Sequence, residues 1–183
     1  MTETVEQDVT TGSATATVGE GKRPVIRLAT EPGDLGDVIA LHGRLYWSEY
    51  AMDQSMEIYC GEGIMRFARE RFERGPEVGE MWVVEHEGRI LGAITMLEED
   101  GLGRLRWLLL DAALRGFGVG RALVRTAMDY ARERGFPGVF LTTIAPLHIA
   151  HALYREAGFE LTSSEPVKQW GIETDELRFD VKF

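Results

Sequence analysis

Residues Leu108 to Tyr130 read LLLDAALRGFGVGRALVRTAMDY. An apolar run stops at Asp111, and a glycine-punctuated turn follows at Arg115-Gly116-Phe117-Gly118-Val119-Gly120. A helical period then begins at once. Val119, Ala122, Leu123, Ala127 and Tyr130 share one face, and Arg121, Arg125 and Asp129 take the other. A buried strand that feeds a glycine loop opening a helix is a natural anion site. The loop and first-turn N–H groups have no helical partner, point the same way, and sit at the positive end of the helix dipole. The stretch is therefore expected to bind a phosphate-bearing ligand, with a purely structural glycine turn as the alternative. It lacks the lysine and Ser/Thr of a nucleotide P-loop. Nor does it follow the first strand of a βαβ array, where a dinucleotide fingerprint belongs.

Upstream, Met81 to His86 and Arg89 to Glu98 read as strands joined at Glu87-Gly88, and Asp100-Gly101 turns the chain into Leu102 to Leu110. These make an antiparallel meander. Downstream, Gly135 and Pro137 stop the loop helix, and Val139 to Ile144 is a further buried strand. A whole helix separates it from Leu102 to Leu110, which predicts a parallel pair. Leu147 to Ala157 reads as a short helix with Ile149, Ala150, Leu153 and Tyr154 inward. Phe159 to Thr162 and Glu176 to Phe183 are expected to close the sheet, with Trp170-Gly171 a candidate flap.

Before the meander, Val25 to Ala29 reads as a short strand. A first helix is expected over Leu35 to Tyr50, with Leu35, Val38, Ile39, His42, Leu45 and Tyr46 on one side. A second, over Ser55 to Arg74, is expected to bury Met56, Tyr59, Ile64, Phe67, Ala68 and Phe72, although Gly61 and Gly63 weaken it. Residues 1–22, rich in Thr, Glu, Gly and Ala, carry too little apolar surface to offset ordering and are expected to form a disordered tail before one domain over 23–183.

The 183 residues are 44% hydrophobic, as in one soluble domain with a full core. No apolar run approaches the roughly 18–20 residues of a membrane span, and the N-terminus does not read as a secretory signal. Cys60 is the single cysteine, which excludes a disulfide framework and a cysteine-clustered zinc site. A cytoplasmic location is the simplest expectation. The net charge of −10 argues against general nucleic-acid binding. The four histidines make no metal pattern, since His148 and His151 alone are too few ligands.

Arg115-x-x-Gly118-x-Gly120 after an LLLD strand, followed about 30 residues later by Ala150-x-x-Leu153-Tyr154-x-x-x-Gly158-Phe159, resembles the GNAT superfamily of acyl-coenzyme A N-acyltransferases. The element order agrees over Val25 to Phe183. HGRLYWSEY, LRWLLLDAALRGFGVGRALV and LHIAHALYREAGF bring it nearer still to the GNAT domain fused to MarR-type winged-helix regulators, here without a winged-helix segment. The resemblance implies an α/β fold of α+β type: a mixed, mostly antiparallel sheet of six to seven strands with about four helices. It implies acetyl transfer from acetyl-coenzyme A, without a metal, to a primary amine on a small molecule or peptide. Transfer is expected to be direct, because Cys60 lies far from the motif. A non-catalytic acyl-coenzyme A sensor is the alternative. Nucleic acid and membrane are not expected partners, and a homodimer is among the assemblies left open.

The resemblance also implies roles for residues. Backbone groups of Leu108, Leu109 and Leu110 pair with the pantetheine amides, and one N–H there polarises the thioester carbonyl. N–H groups of Gly116, Phe117, Gly118, Val119, Gly120 and Arg121 cradle the pyrophosphate, with Arg115 adding charge. Tyr154 gives a proton to the departing thiolate; a core tyrosine is the alternative. The asparagine that many relatives carry is Leu147 here, with His148 beside it as a candidate coenzyme A ligand. The carboxylate base of some relatives falls at about Arg104, and no acid lies between Gly103 and Leu110. His42, Tyr46 and Tyr50, at four-residue spacing, are candidate acceptor-binding residues, and Glu49 is a candidate for acceptor binding or base. Packing of this helix on the sheet is the alternative.

Overall fold

The computed structural model describes residues 23–183, so the tail expected over residues 1–22 lies outside the described residues. The chain runs β1 (Val25–Leu28), α1 (Asp34–Tyr50), α2 (Gln54–Arg74), β2 (Gly79–His86), β3 (Arg89–Glu99), β4 (Leu102–Leu110), α3 (Val119–Glu133), β5 (Gly138–Ile144), α4 (His148–Glu156), β6 (Glu160–Gln169) and β7 (Ile172–Lys182). Short 3-10 turns occupy Pro76–Val78 and Ala112–Leu114. The strands form one sheet in the order β1-β2-β3-β4-β5-β7-β6. Every described pairing is antiparallel except β4 with β5. This is the mixed, mostly antiparallel sheet with four helices that the sequence predicts.

Three hairpins share one turn chemistry. Glu87-Gly88, Asp100-Gly101 and Trp170-Gly171 each hold two consecutive residues at positive φ, between 51° and 79°. Such turns match the right-handed twist of the strands they join. Side chains alternate across the sheet: Met81 and Val83 pack with α1 and α2, and Trp82 and Val84 pack with α3 and α4. The sheet thus lies between two helical layers. No helix among the described residues is long and apolar enough to cross a membrane.

β4 breaks this alternation. Ala93 faces Leu109 and Thr95 faces Arg106, so two steps along β3 span three along β4. The extra residue lies at Trp107 and Leu108, and Trp107 stands at φ 50°. A bulge reverses which face each later side chain takes. Leu105 packs with α3 and α4, whereas Trp107 and Leu109 pack beneath α1 and α2. On its other side β4 pairs with β5 at only two positions, Gly103 with Val139 and Arg104 with Phe140. Beyond them β4 stays with β3, β5 stays with β7 up to Ile144 and Glu176, and the two parallel strands part.

Several side chains sit differently from expectation. Phe72 is 92% exposed and Tyr59 41%, because the buried stripe of α2 follows Met56, Cys60, Ile64 and Phe67. Phe72 falls five residues beyond Phe67, off that stripe. Ile149, on the first turn of α4, is 60% exposed. β6 and β7 are also longer than expected. They pair with each other out to Gln169 and Ile172, past the end of β5. Their tip is tied down where the Asp53 N–H donates to the Trp170 carbonyl at 2.9 Å.

Gly63, costly in a helix, has a packing reason: a Cβ there would lie 2.8 Å from Cζ2 of Trp107. Helix propensity alone favours Gly63→Ala by about 1 kcal/mol, but overpacking a buried ring costs about 1–3 kcal/mol. A net loss of about 1 kcal/mol is expected from denaturant unfolding, with altered tryptophan fluorescence. A stabilised variant with unchanged fluorescence would contradict the packing around the bulge.

Candidate active site

The glycine turn places α3 with its N-terminus open. Gly116 and Gly118 hold φ of 83° and 78°, and a Cβ at either would meet nothing within 4 Å. Gly118 caps the helix without a side chain, and the first bond of α3 runs from Ala122 N–H to the Gly118 carbonyl at 3.0 Å. The N–H groups of Val119, Gly120 and Arg121 therefore have no acceptor among the described residues, as a helix start requires. Gly120 serves packing: a Cβ there would stand 3.0 Å from Leu153, so its absence lets α4 approach α3.

Two clefts adjoin where β4 and β5 part. One is lined by Leu108, Leu109, Leu110, Arg115 and Gly120, with Glu49 and Tyr50 from α1 and Ala150 and Leu153 from α4. The other is lined by His42, Tyr59, Arg106, Thr143, Tyr154, Trp170 and Glu176, among others. Tyr46, Leu108 and Leu147 line both, so the clefts meet at the bulge. An open helix start thus lies at one end of a leucine-lined channel, and a polar chamber lies at the other.

The sequence profile described as the acetyltransferase (GNAT) family matches residues 44–159. The chain belongs to the GNAT acetyltransferase family. The matched span runs from α1 through the meander, glycine turn and α4, and so contains most of both clefts. The chain is 40% identical over 84 residues to YjgM, an uncharacterized N-acetyltransferase of Escherichia coli, covering 43% of this chain and 50% of that one. It is 39% identical over 87 residues to N-acetyltransferase family 8 member 3 of Rattus norvegicus, covering 44% of this chain and 38% of that one. These matches span about half or less of the relatives' length. In solved structures, ribosomal-protein-alanine N-acetyltransferase from Brucella melitensis superposes with a TM-score of 0.70 at 23% identity, covering 87% of this chain and 99% of that one. The yncA protein of Salmonella typhimurium, solved with its cofactor acetyl-CoA, superposes at 0.68 and 16% identity over 87% and 93%. At those identities the likeness is one of fold.

On this GNAT scaffold, the candidate residues divide between the clefts. Leu108, Leu109 and Leu110 line the channel, with Leu108 also reaching the chamber. Arg115 lies across the turn, its Nε donating to the Leu110 carbonyl at 3.1 Å and its Nη2 to Glu49 at 2.7 Å. Glu49 therefore ends on Arg115 in the channel and is absent from the chamber lining that holds Tyr154. Tyr50 too lines the channel alone, while Tyr46 reaches both clefts and His42 only the chamber. Arg121 is exposed and pairs with Glu156 at 2.7 Å. Phe117 is exposed on the turn. His148 begins α4 but lines neither cleft.

Tyr154 is 5% exposed, its ring packs against Phe159 and Phe179, and its hydroxyl has no partner among the described residues. Burial pushes its pKa upward, so the phenol keeps its proton through neutral pH. Cys60, distant from the motif in sequence, nevertheless lines the chamber. Burial pushes its thiol up to about 12, which leaves little thiolate for nucleophilic attack.

Two charged chamber residues, Arg106 and Glu176, escaped the sequence reading, which placed Trp170 in a candidate flap. Arg106 sits just before the bulge, Trp170 closes the roof with its ring 5.2 Å from that of Tyr59, and Glu176 enters from β7. A search for a base along β4 cannot find Glu176. Arg104, at the expected position, is occupied with Glu99 at 2.7 Å. A carboxylate reaches the chamber lining instead from the strand that flanks β5, at Glu176 in the last β5–β7 pair. The signal lay in strand order, which no local motif carries. The Trp170-Gly171 pair did mark the hairpin tip over the chamber. Among the described residues, no cluster of three or more His, Cys, Asp or Glu side chains is placed to hold a metal ion.

His42 gives the site a measurable pH signature. Its Nδ1 meets the Val38 carbonyl at 2.8 Å, so that nitrogen carries the proton, and the buried Nε2 has no protein partner. Burial lowers its pKa from 6.5 to about 4. Between those values the unfolded chain binds the extra proton. This stabilisation is therefore complete above pH 6.5 and is lost as pH falls toward 4. The loss is on the order of 3 kcal/mol. Chemical denaturation across that window should show the slope, and His42→Gln should flatten it. An unchanged slope would place the effect elsewhere. Asp34, held low by Arg27, acts at lower pH.

Proposed function

We propose that this protein transfers an acetyl group from acetyl-coenzyme A directly to a primary amine. The observation that carries the reading is the junction of the two clefts at the β4 bulge, with an anion-binding helix start on one side and Tyr154 with Glu176 on the other. The residues fit the cofactor. Free N–H groups of α3 suit a pyrophosphate, and the space above Gly116 and Gly118 leaves room for it. The leucine-lined channel suits an apolar arm beside unpaired strand backbone, because β4 has lost β5 as a neighbour there. Bound acetyl-coenzyme A supplies the acetyl group as a thioester.

The chain's own groups then have separate tasks. Backbone N–H groups of Leu108 to Leu110 hold the pantetheine arm and polarise the acyl carbonyl. Glu49 positions Arg115 across the turn, where the guanidinium adds positive charge near the phosphates. Glu176 takes a proton from the acceptor ammonium, directly or through water. The Tyr154 hydroxyl gives a proton to the leaving sulfur. His42 and Tyr46 shape the wall behind the amine, their rings stacked at 5.8 Å. Cys60, kept as a thiol, takes no covalent part. A non-catalytic acyl-coenzyme A sensor is the alternative, and the lack of an acid between Gly103 and Leu110 is its best support. Glu176 in the chamber lining favours transfer.

Calorimetry with acetyl-coenzyme A should show saturable binding that Gly118→Trp abolishes, because that site has φ 78° and opens onto the proposed phosphate cradle. Retained binding in a folded Gly118→Trp variant would refute the cradle. Across a panel of amines, Tyr154→Phe should lower kcat by about 10²–10⁴ with coenzyme A affinity unchanged. Glu176→Gln should lower kcat/KM in the same range. Tight cofactor binding with no thiol release on any amine would favour the sensor.

A further inference from the structure

Arg106 differs from the other half-buried arginines. Arg27, Arg71, Arg104, Arg115 and Arg178 each end on a carboxylate within 2.8 Å. Arg106 has none within salt-bridge reach among the described residues. Its single described hydrogen bond runs from Nη2 to the Tyr59 hydroxyl, at 2.8 Å. It is also held in place. The guanidinium carbon lies 4.5 Å from the centre of the Trp107 ring and 5.5 Å from that of Tyr59.

Glu99 attracts Arg106 from beyond contact distance. A rigid, partly desolvated guanidinium with no carboxylate in contact is costly unless an anion joins it, and its planar fork matches a carboxylate in two-point fashion. The chamber that Arg106 lines also holds Tyr154 and Glu176, and Glu176 is the one acid among its described lining residues. The chamber therefore offers one cation and one anion to whatever enters. The phosphates of the cofactor do not meet this need, because the open helix start belongs to the other cleft, which Arg106 does not line.

We propose that Arg106 anchors a carboxylate on the acceptor, and that the acceptors are amino acids or other amines bearing a free carboxylate. The anion seats on the Arg106 fork while the amine faces Glu176 and the acyl carbonyl. Burial lowers the pKa of Arg106, and a bound carboxylate restores the lost solvation. This inference rests on the acyltransfer reading of the chamber.

The test compares thiol release from acetyl-coenzyme A with the common amino acids, each beside its own carboxamide. The amine of a carboxamide is the less basic of the two, so amine ionisation alone favours the carboxamide. At least one amino acid is expected to exceed its carboxamide in kcat/KM by about 10- to 150-fold. Arg106→Gln should bring that ratio to one or below, mainly through KM, and Arg106→Lys should retain part of it. Because the ratio is taken within one variant, partial misfolding cancels. Equal rates on acid and carboxamide, or a ratio that survives Arg106→Gln, would overturn the assignment. So would turnover confined to amines without a carboxylate, although that result leaves acyl transfer intact. Absence of acetyl-coenzyme A binding in calorimetry would remove the underlying reading as well.

Discussion

The parting of β4 from β5 is the constraint on which the rest of this molecule depends. A parallel pair that stayed in register would seal the sheet. Here two residue pairs hold the strands together, and a bulge at Trp107 then redirects β4. The bulge costs a bulky residue at φ 50°, of order 1–3 kcal/mol by general experience with such strain. What it yields is a strand with one edge still bonded to β3 and the other free to meet a ligand. It also turns Trp107 into the α1–α2 layer, where Gly63 must lack a side chain to receive it. The glycine that looks like a flaw in α2 is thus a consequence of a bulge on another element.

Charge is distributed to match that geometry. On the channel side Arg115 is satisfied by Glu49 and by the Leu110 carbonyl, which fixes the guanidinium at the turn. On the chamber side the ionisable groups are left without such partners: Arg106 has a hydroxyl, and no ion pair involves Glu176 among the described residues. His42 and Tyr154 are buried and held neutral. A half-buried unpaired charge is destabilising in the free protein and favourable once a complementary group arrives. Folding stability and ligand recognition therefore pull on the same residues in opposite directions.

Much of this was legible in the chain. The hairpin turns at Glu87-Gly88 and Asp100-Gly101, the helix after Gly118, and the parallel relation of β4 and β5 all follow from local period and turn chemistry. The membership of the GNAT family follows from the glycine turn and the Ala150-to-Phe159 segment. Two kinds of feature were not legible. The bulge leaves no mark in the hydrophobic pattern, because WLLL from Trp107 to Leu110 reads as a continuous apolar run whether or not its faces reverse at Trp107. Phe72 and Tyr59 fit a helical period, yet which side of α2 is buried depends on the Met56-Cys60-Ile64-Phe67 stripe that meets the sheet. The pairing of Glu49 with Arg115 joins residues 66 apart in sequence, so nothing local announced it.

The two halves of the site also differ in how they are encoded. The channel is built on one stretch: the end of β4, the turn and the start of α3 are contiguous in a single motif, and α1 and α4 add the facing walls. The chamber is assembled from α1, α2, β4, β5, α4, the β6–β7 tip and β7. A contiguous motif changes as a unit, because Gly116 and Gly118 answer a backbone requirement and Gly120 a packing one. Residues gathered from separate elements need no such coordination. Arg106, Glu176 and Trp170 can each be replaced without disturbing the strands that carry them, since strand pairing is made by backbone. On this account the cofactor half is read easily from sequence because it is constrained, and the acceptor half is hard to read because its side chains alone define it.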